Sequence, residues 1–256
     1  MLSSAELKNL DLLQSSGLRV VGRGLVIDTN PSLENVRGLY GLERIEGSLT
    51  IATNPLLEGL EGLEKLELVG GDPSVHTLTI VQNASLASLT ALGSEAKRPI
   101  DLRTSLMVNF CPALVSLEGV RGLETTTSAT IIYNDGLLGI GALADLRATN
   151  QLIVASNAAL TRIDFPQLEV VDFVNVSDNS QLESVSFPRL TTVTELLGIF
   201  SNPMLVSLGA LDQLTSVEAM NINTNAMLPQ CLVNALDARL MACGSCGDNN
   251  WTEPCD

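Results

Sequence analysis

Four of the five cysteines, Cys231, Cys243, Cys246 and Cys255, fall within 25 residues near the C-terminus. Thiols grouped in this way support one of two chemistries. An even cluster forms two disulfides that staple a cap, with three pairings open, and this is the first expectation. The alternative is a zinc ion held by four thiolates; Cys243-x-x-Cys246 suits one half of such a site, although the outer spacings are irregular. The fifth cysteine, Cys111, has no histidine near it in sequence to make it a nucleophile. The only histidine is His76. A polysaccharide-cleaving site would need carboxylates clustered on one outward face. The 13 aspartates recur at no shared offset, and Trp251 is the only tryptophan available as a sugar platform. No EF-hand spacing or His-rich cluster supports a metal site. The expectation is a chain with no catalytic residue, no cofactor and no resident metal. The segment GSEAKRPIDLRT concentrates Lys97, Arg98 and Arg103 in an otherwise acidic protein and is the best candidate for a contact loop.

The elements that would position these residues are written as a repeat. Asn30, Asn54, Asn83, Cys111, Asn134, Asn157, Asn179, Asn202 and Asn225 follow one another at gaps of 24, 29, 28, 23, 23, 22, 23 and 23 residues. Three residues after every mark stands a Leu, from Leu33 and Leu57 through to Leu205 and Leu228. Three residues before every mark stands Ile or Val, from Ile27 and Ile51 through to Ile199 and Ile222. A fixed period in this range signals a repeat architecture. Each unit opens with a short alternating segment, such as Leu49-Thr50-Ile51, which predicts a strand with one buried face. One unit cannot bury its own apolar row. Parallel stacking at about 4.8 Å places each Leu and Ile on its copy in the neighbouring coil, so nine coils make a rod about 40 Å long.

The asparagines end the strands, where the backbone turns and loses ladder partners. An inward carboxamide bonds the turn backbone and the next Asn in the stack, so Asn30, Asn54, Asn83, Asn134, Asn157, Asn179, Asn202 and Asn225 form a structural ladder rather than a ligand site. Pro31, Pro55, Pro112 and Pro203 follow the mark, where a fixed φ suits a turn. Eight residues after the mark the side chain is small in Gly38, Gly62, Ala91, Gly119, Ala142 and Ala210. In two coils it is Phe165 and Phe187, each followed by Pro, a swap that preserves volume in a packed interior.

The pattern L-x-I-x-x-N-P-x-L-x-x-L-x-G-L-x-x-L resembles the receptor L-domain repeat over residues 7–230. Ligand-binding domains of growth-factor and insulin-type receptors, fungal cell-wall proteins and bacterial surface proteins carry that repeat. The ordinary leucine-rich repeat is a near relative, but it sets its Leu two residues after the Asn, where this chain has three. The resemblance therefore implies a right-handed parallel β-helix, an all-β solenoid of about nine coils, rather than a horseshoe. It implies a binding role but transfers no binding residue, because the family's contacts come from variable outward positions. The CGD…CD ending is similar to short Cys-rich motifs of secreted bacterial surface proteins.

Three segments follow: a partial coil or N-terminal cap over 1–24, the solenoid over 25–230, and a Cys-rich C-terminal cap over 231–256 with a helix from Leu232 to Met241. In the first, Leu7, Leu10, Leu13, Leu18 and Val21 match the second half of a repeat. Either Ser3-Ser4-Ala5-Glu6 begins a capping helix, or the chain starts inside a longer protein. Hydrophobic residues make up 45% and aromatics 3%, the profile of a coil filled with Leu, Ile and Val. A formal charge of −15 disfavours nucleic acid and anionic lipid. No apolar run is long enough to span a membrane. Met1-Leu2-Ser3-Ser4 lacks the basic start and apolar core of a signal peptide, so an exported form would already have lost its leader. Glu34, Glu43, Glu46, Glu58, Glu61, Glu64 and Glu67 read first as a solvated face and second as a surface for cations or basic partners. The longer units around Gly70–His76 and Gly93–Thr104 bulge from one side of the stack. Asn83, Asn175 and Asn250 head formal glycosylation sequons, of which Asn83 points inward. The expected function is a noncatalytic extracellular or cell-surface module that binds a protein or glycan. The alternatives are a structural spacer in a larger surface protein and a polysaccharide-active β-helix enzyme.

Overall fold

The computed structural model describes residues 6–70, 76–94, 101–102, 105–120, 122–250 and 252. It is a parallel β-solenoid of about nine turns, so the repeat does set the fold. Ten strands form the main sheet in chain order, from Leu25–Asp28 and Leu49–Ala52 to Ser216–Asn223 and Cys243–Ser245. Every pairing is parallel, and each brings equivalent repeat positions together, as with Ile27 beside Ile51 and Val154 beside Val176. A second parallel sheet runs along another side through Val20–Val21, Arg44–Ile45, Leu68–Val69 and Asp101–Leu102. In the coils that carry Phe165 and Phe187, Arg162–Asp164 and Ser184–Ser186 form a third, two-stranded sheet.

The core follows from offset parity. Residues five and three before the mark point inward and are buried in every coil, as are the leucines three after it. Eight after the mark the backbone of coil 2 crowds coil 1: a Cβ on Gly62, whose φ is +118°, would lie 2.1 Å from the Val36 carbonyl oxygen. Small residues there let the chain tuck against the previous coil. Phe165 and Phe187 instead open the turn into strands and stack inside, ring centroids 5.9 Å apart.

The residue before each mark lies in the left-handed region, with φ between 55° and 58° at ten positions, from Thr29 and Thr53 to Thr224 and Asp248. None of the ten is Gly, and such a conformation costs a side-chain-bearing residue about 1 kcal/mol or more. The asparagine that follows holds the turn. Asn54 donates through Nδ2 to the Ile27 carbonyl at 3.0 Å and to Asn83 Oδ1 at 3.2 Å, and its own N–H donates to the same Oδ1 at 3.1 Å. That set recurs at Asn134, Asn157, Asn179, Asn202 and Asn225.

Asn249 is a tenth rung. Its Oδ1 accepts from Asn225 N–H at 3.1 Å and from Asn225 Nδ2 at 3.2 Å, and its Nδ2 donates to the Ile222 carbonyl at 2.9 Å. The stack thus runs one coil into the segment assigned to the cap. The helix spans Gln230–Leu240, two residues ahead of the expected start, with Pro229 as its N-cap and Met241 closing it in the left-handed region. It buries Val233 and Leu236 over the end of the core. Gln230 ties the helix to the last coil by donating to the Cys246 carbonyl and accepting from Asn249 Nδ2. At the other end Leu10 is buried and Leu7, Leu13, Leu18 and Val21 pack on the core. Among the described residues before the first coil the helix is the single turn Asp11–Gln14. Ser3, Ser4 and Ala5, where the sequence lets a capping helix begin, lie outside them.

Candidate functional site

The ladder asparagines are fully buried and fully engaged with one another and the backbone, which leaves them nothing to offer a ligand. Cys111 occupies the fourth rung. Its Sγ lies 3.9 Å from the Ile80 carbonyl and 3.5 Å from the Asn109 carbonyl, the two places an Asn amide would reach. Its N–H donates to Asn134 Oδ1 at 3.0 Å. Burial raises the thiol pKa, partly offset by hydrogen bonds from Asn83, so the sulfur stays a neutral core atom.

At the C-terminus Cys243 and Cys246 form a disulfide and Cys231 is also disulfide-bonded. The Cys243–Cys246 bond is the disulfide chemistry of the first expectation at that pair. Among the described residues no three His, Cys, Asp or Glu side chains converge as metal ligands. Cys255, Trp251 and the loop cations Lys97, Arg98 and Arg103 lie outside the described residues. The glutamates of coils 1 and 2 divide: Glu43 pairs with Arg19, Glu46 with Arg44 at 3.0 Å, and Glu64 accepts the Gly62 N–H at 2.9 Å. Glu34, Glu58 and Glu61 line an open groove with Asn35, Arg37 and Leu56. His76 borders another shallow groove with Arg23, Glu46 and Ser48.

The surface that stands apart is the outer face of the main sheet. Four residues before the marks the register aligns Val26, Thr50, Thr79, Met107, Thr130, Ile153, Asn175, Gly198 and Asn221. Two before the marks it aligns Asp28, Ala52, Val81, Asn109, Ile132, Ala155, Ser177, Phe200 and Asn223. Only Asp28 in these two rows is charged, in a chain where charged residues are 17%. Coils 2 to 5 present hydroxyls that pair among themselves, Thr79 with Thr77 and Ser128 with Thr130. Coils 5 to 8 mix apolar Ile132, Ile153 and Phe200 with Thr130, Ser177 and Gly198. Asn175 sits between these, and its Oδ1 is the one buried side-chain oxygen or nitrogen without a hydrogen-bond partner among the described residues.

An aromatic pair marks the corner of this face. Phe110 and Tyr133, directly before consecutive rungs, stack at 4.7 Å and remain 46% and 49% exposed. Both have positive φ, where a bulky side chain is disfavoured. The turn would accept Asn or Asp there, as Asp178 and Asp248 show, so folding does not demand the rings. Sequence reasoning passed over this face. Its signal lay in the even offsets, whose side chains vary while their lack of charge persists. No known protein family, curated protein or solved structure matches this chain.

Proposed function

We propose that this solenoid is a noncatalytic binding or adhesion module, akin to receptor L domains, of a secreted or surface-exposed protein of bacterial type. It engages a protein or glycan through the outer face of its main sheet. The carrying observation is the pair of side-chain rows along nine coils that holds a single charge. Stacking about 5 Å apart disfavours runs of like charge, but scattered or alternating charges would fold as well, so a strip about 40 Å long with a single charge supports a demand beyond solubility. Flat arrays of hydroxyl, amide and apolar groups suit contact with another surface. Disulfides at the C-terminal end fit an oxidising compartment. A spacer within a larger surface protein would share the fold but would place no such demand on the outward rows.

Labelled protein applied to a glycan array and to whole cells tests the proposal. Binding should be lost in Ile153→Asp and Ile132→Asp, which put charge into the face without touching the core. Binding that survives both substitutions moves the contact elsewhere. Absence of any binding favours the spacer.

A further inference from the structure

We propose that the sheet face of coils 5 to 8 docks a protein partner that presents an apolar strip edged by Lys or Arg. This deepens the binding role proposed above and rests on it. The strip on this molecule carries half-buried Ile132, Ile153, Phe173, Leu196 and Phe200, with Thr130, Asn175 and Gly198 among them in its middle row. The register sets Phe173 directly beside Leu196. The Phe200 ring folds over Gly198, 3.4 Å from where a Cβ would stand, which flattens the surface. Among the described elements no helix or second sheet packs over these strands.

The strip has an acidic edge. Irregularities in the strand pairing beside it hold Asp172, Glu195 and Glu218 in coils 7, 8 and 9. Asp172 is fixed by donors on both neighbouring coils, Asn150 Nδ2 and Thr194 Oγ1, each at 2.5 Å. None of the three carboxylates pairs with a cation among the described residues, and stacked coils keep such residues about 5 Å apart per rung, where like charges repel. The imbalance is regional: residues 122–256 carry 15 Asp and Glu against four Arg and no Lys. Those arginines are committed elsewhere. Arg147 lies 3.8 Å from Glu124 and Arg162 3.6 Å from Asp164. Arg189 donates to Gln167 at 2.7 Å, and Arg239 to the Leu211 carbonyl at 2.8 Å.

Charge decides among occupants. A second copy would bring the same carboxylates to the contact. A neutral glycan would leave the acidic edge unanswered. A partner with an apolar centre and a basic edge satisfies both features, and the acidic field steers its approach.

The test titrates the full chain with a synthetic amphipathic Leu/Lys peptide, its Leu/Glu counterpart and a neutral cello-oligosaccharide, by fluorescence anisotropy and calorimetry. The Leu/Lys peptide should bind and the Leu/Glu peptide should not. Leu196→Ser with Phe200→Ser, and separately Glu195→Gln with Glu218→Gln, should each weaken binding about tenfold or more. Glu34→Gln with Glu58→Gln, in coils 1 and 2, should leave it unchanged. Thermal melts check that the apolar variant folds, and the exposed Glu variants carry the test if it does not. Equal weakening by the coil 1 and 2 pair would reduce the effect to diffuse attraction and overturn the proposal. Oligosaccharide binding without peptide binding would overturn the partner class while keeping the binding role. Silence from all probes also removes the partner class and leaves the role to its own glycan and cell assays.

Discussion

Replacing Asn157 by Ala removes one rung from the middle of the ladder, and the structure allows the loss to be worked out. Asn157 Oδ1 accepts from Asn134 N–H at 3.1 Å and from Asn134 Nδ2 at 3.2 Å. Its Nδ2 donates to the Ile131 and Ala155 carbonyls, both at 3.0 Å. After truncation the Asn134 N–H faces a dry core with no acceptor, at about 1–3 kcal/mol, and four further bonds disappear at about 1 kcal/mol each, the 3.3 Å bond from Asn157 Nδ2 to Asn179 Oδ1 included. These bonds share one geometry and do not add fully, so the expected loss is about 3–5 kcal/mol. Cys111→Ala is the internal control. Its sulfur donates at 3.5 and 3.9 Å, longer than any amide bond in the ladder, and accepts from Asn83 more weakly than an amide oxygen would, so its truncation should cost less, about 1–2 kcal/mol. Urea unfolding followed by far-UV circular dichroism measures both, with the slope recorded beside the midpoint because stacked repeats can lose cooperativity. Equal losses in the two variants would show that packing, not amide bonding, holds the turns.

Leu137→Asp buries an unpaired charge at a fully enclosed position and should abolish cooperative unfolding, read by the same denaturation curves. Gly62→Ala drives a Cβ against the Val36 carbonyl and should cost at least about 2 kcal/mol, whereas Gly139→Ala, with open space around it, should change stability by less than about 1 kcal/mol. Cys111 has a raised thiol pKa in the folded state, because burial favours the neutral form. The unfolded thiol therefore ionises first, and stability present below about pH 8.5 should fall as pH rises above it. Melts between pH 7 and 10 should show a decline that Cys111→Ala lessens. Among the described cysteines only Cys111 should react with iodoacetamide, and only after unfolding without reductant.

The solenoid was legible because its inward residues obey a spacing rule that stacking imposes. An Ile or Val three before the mark and a Leu three after it must each sit on its own copy, so the rule cannot drift without opening a void. The tenth coil escaped the rule for a physical reason. Asn249 has Cys246 where Ile or Val should stand and Thr252 where Leu should stand. The Cys243–Cys246 disulfide packs against the core in place of an aliphatic side chain, and the helix covers the rest. What the rung itself requires is a carboxamide and a left-handed residue before it, and Asn249 and Asp248 supply both.

Outward positions carry no such rule, which is why the candidate face was hidden and also why it is informative. Phe110 and Tyr133 stand 23 residues apart and look unrelated until the coil spacing stacks them. Thr130, Ile153 and Asn175 share no side-chain type, yet parallel register makes them neighbours in one row. A net charge of −15 over the whole chain says nothing about where charge is missing. Folding fixes the odd offsets before each mark and constrains the even ones less, although Asn109, Ala155 and Ser177 among them are buried. Stacking disfavours runs of like charge at these offsets but not scattered or alternating charge, so an almost unbroken absence of charge, beside stacked rings in a backbone conformation that disfavours them, is only partly explained by the fold. Those residues are where a demand other than folding can be read.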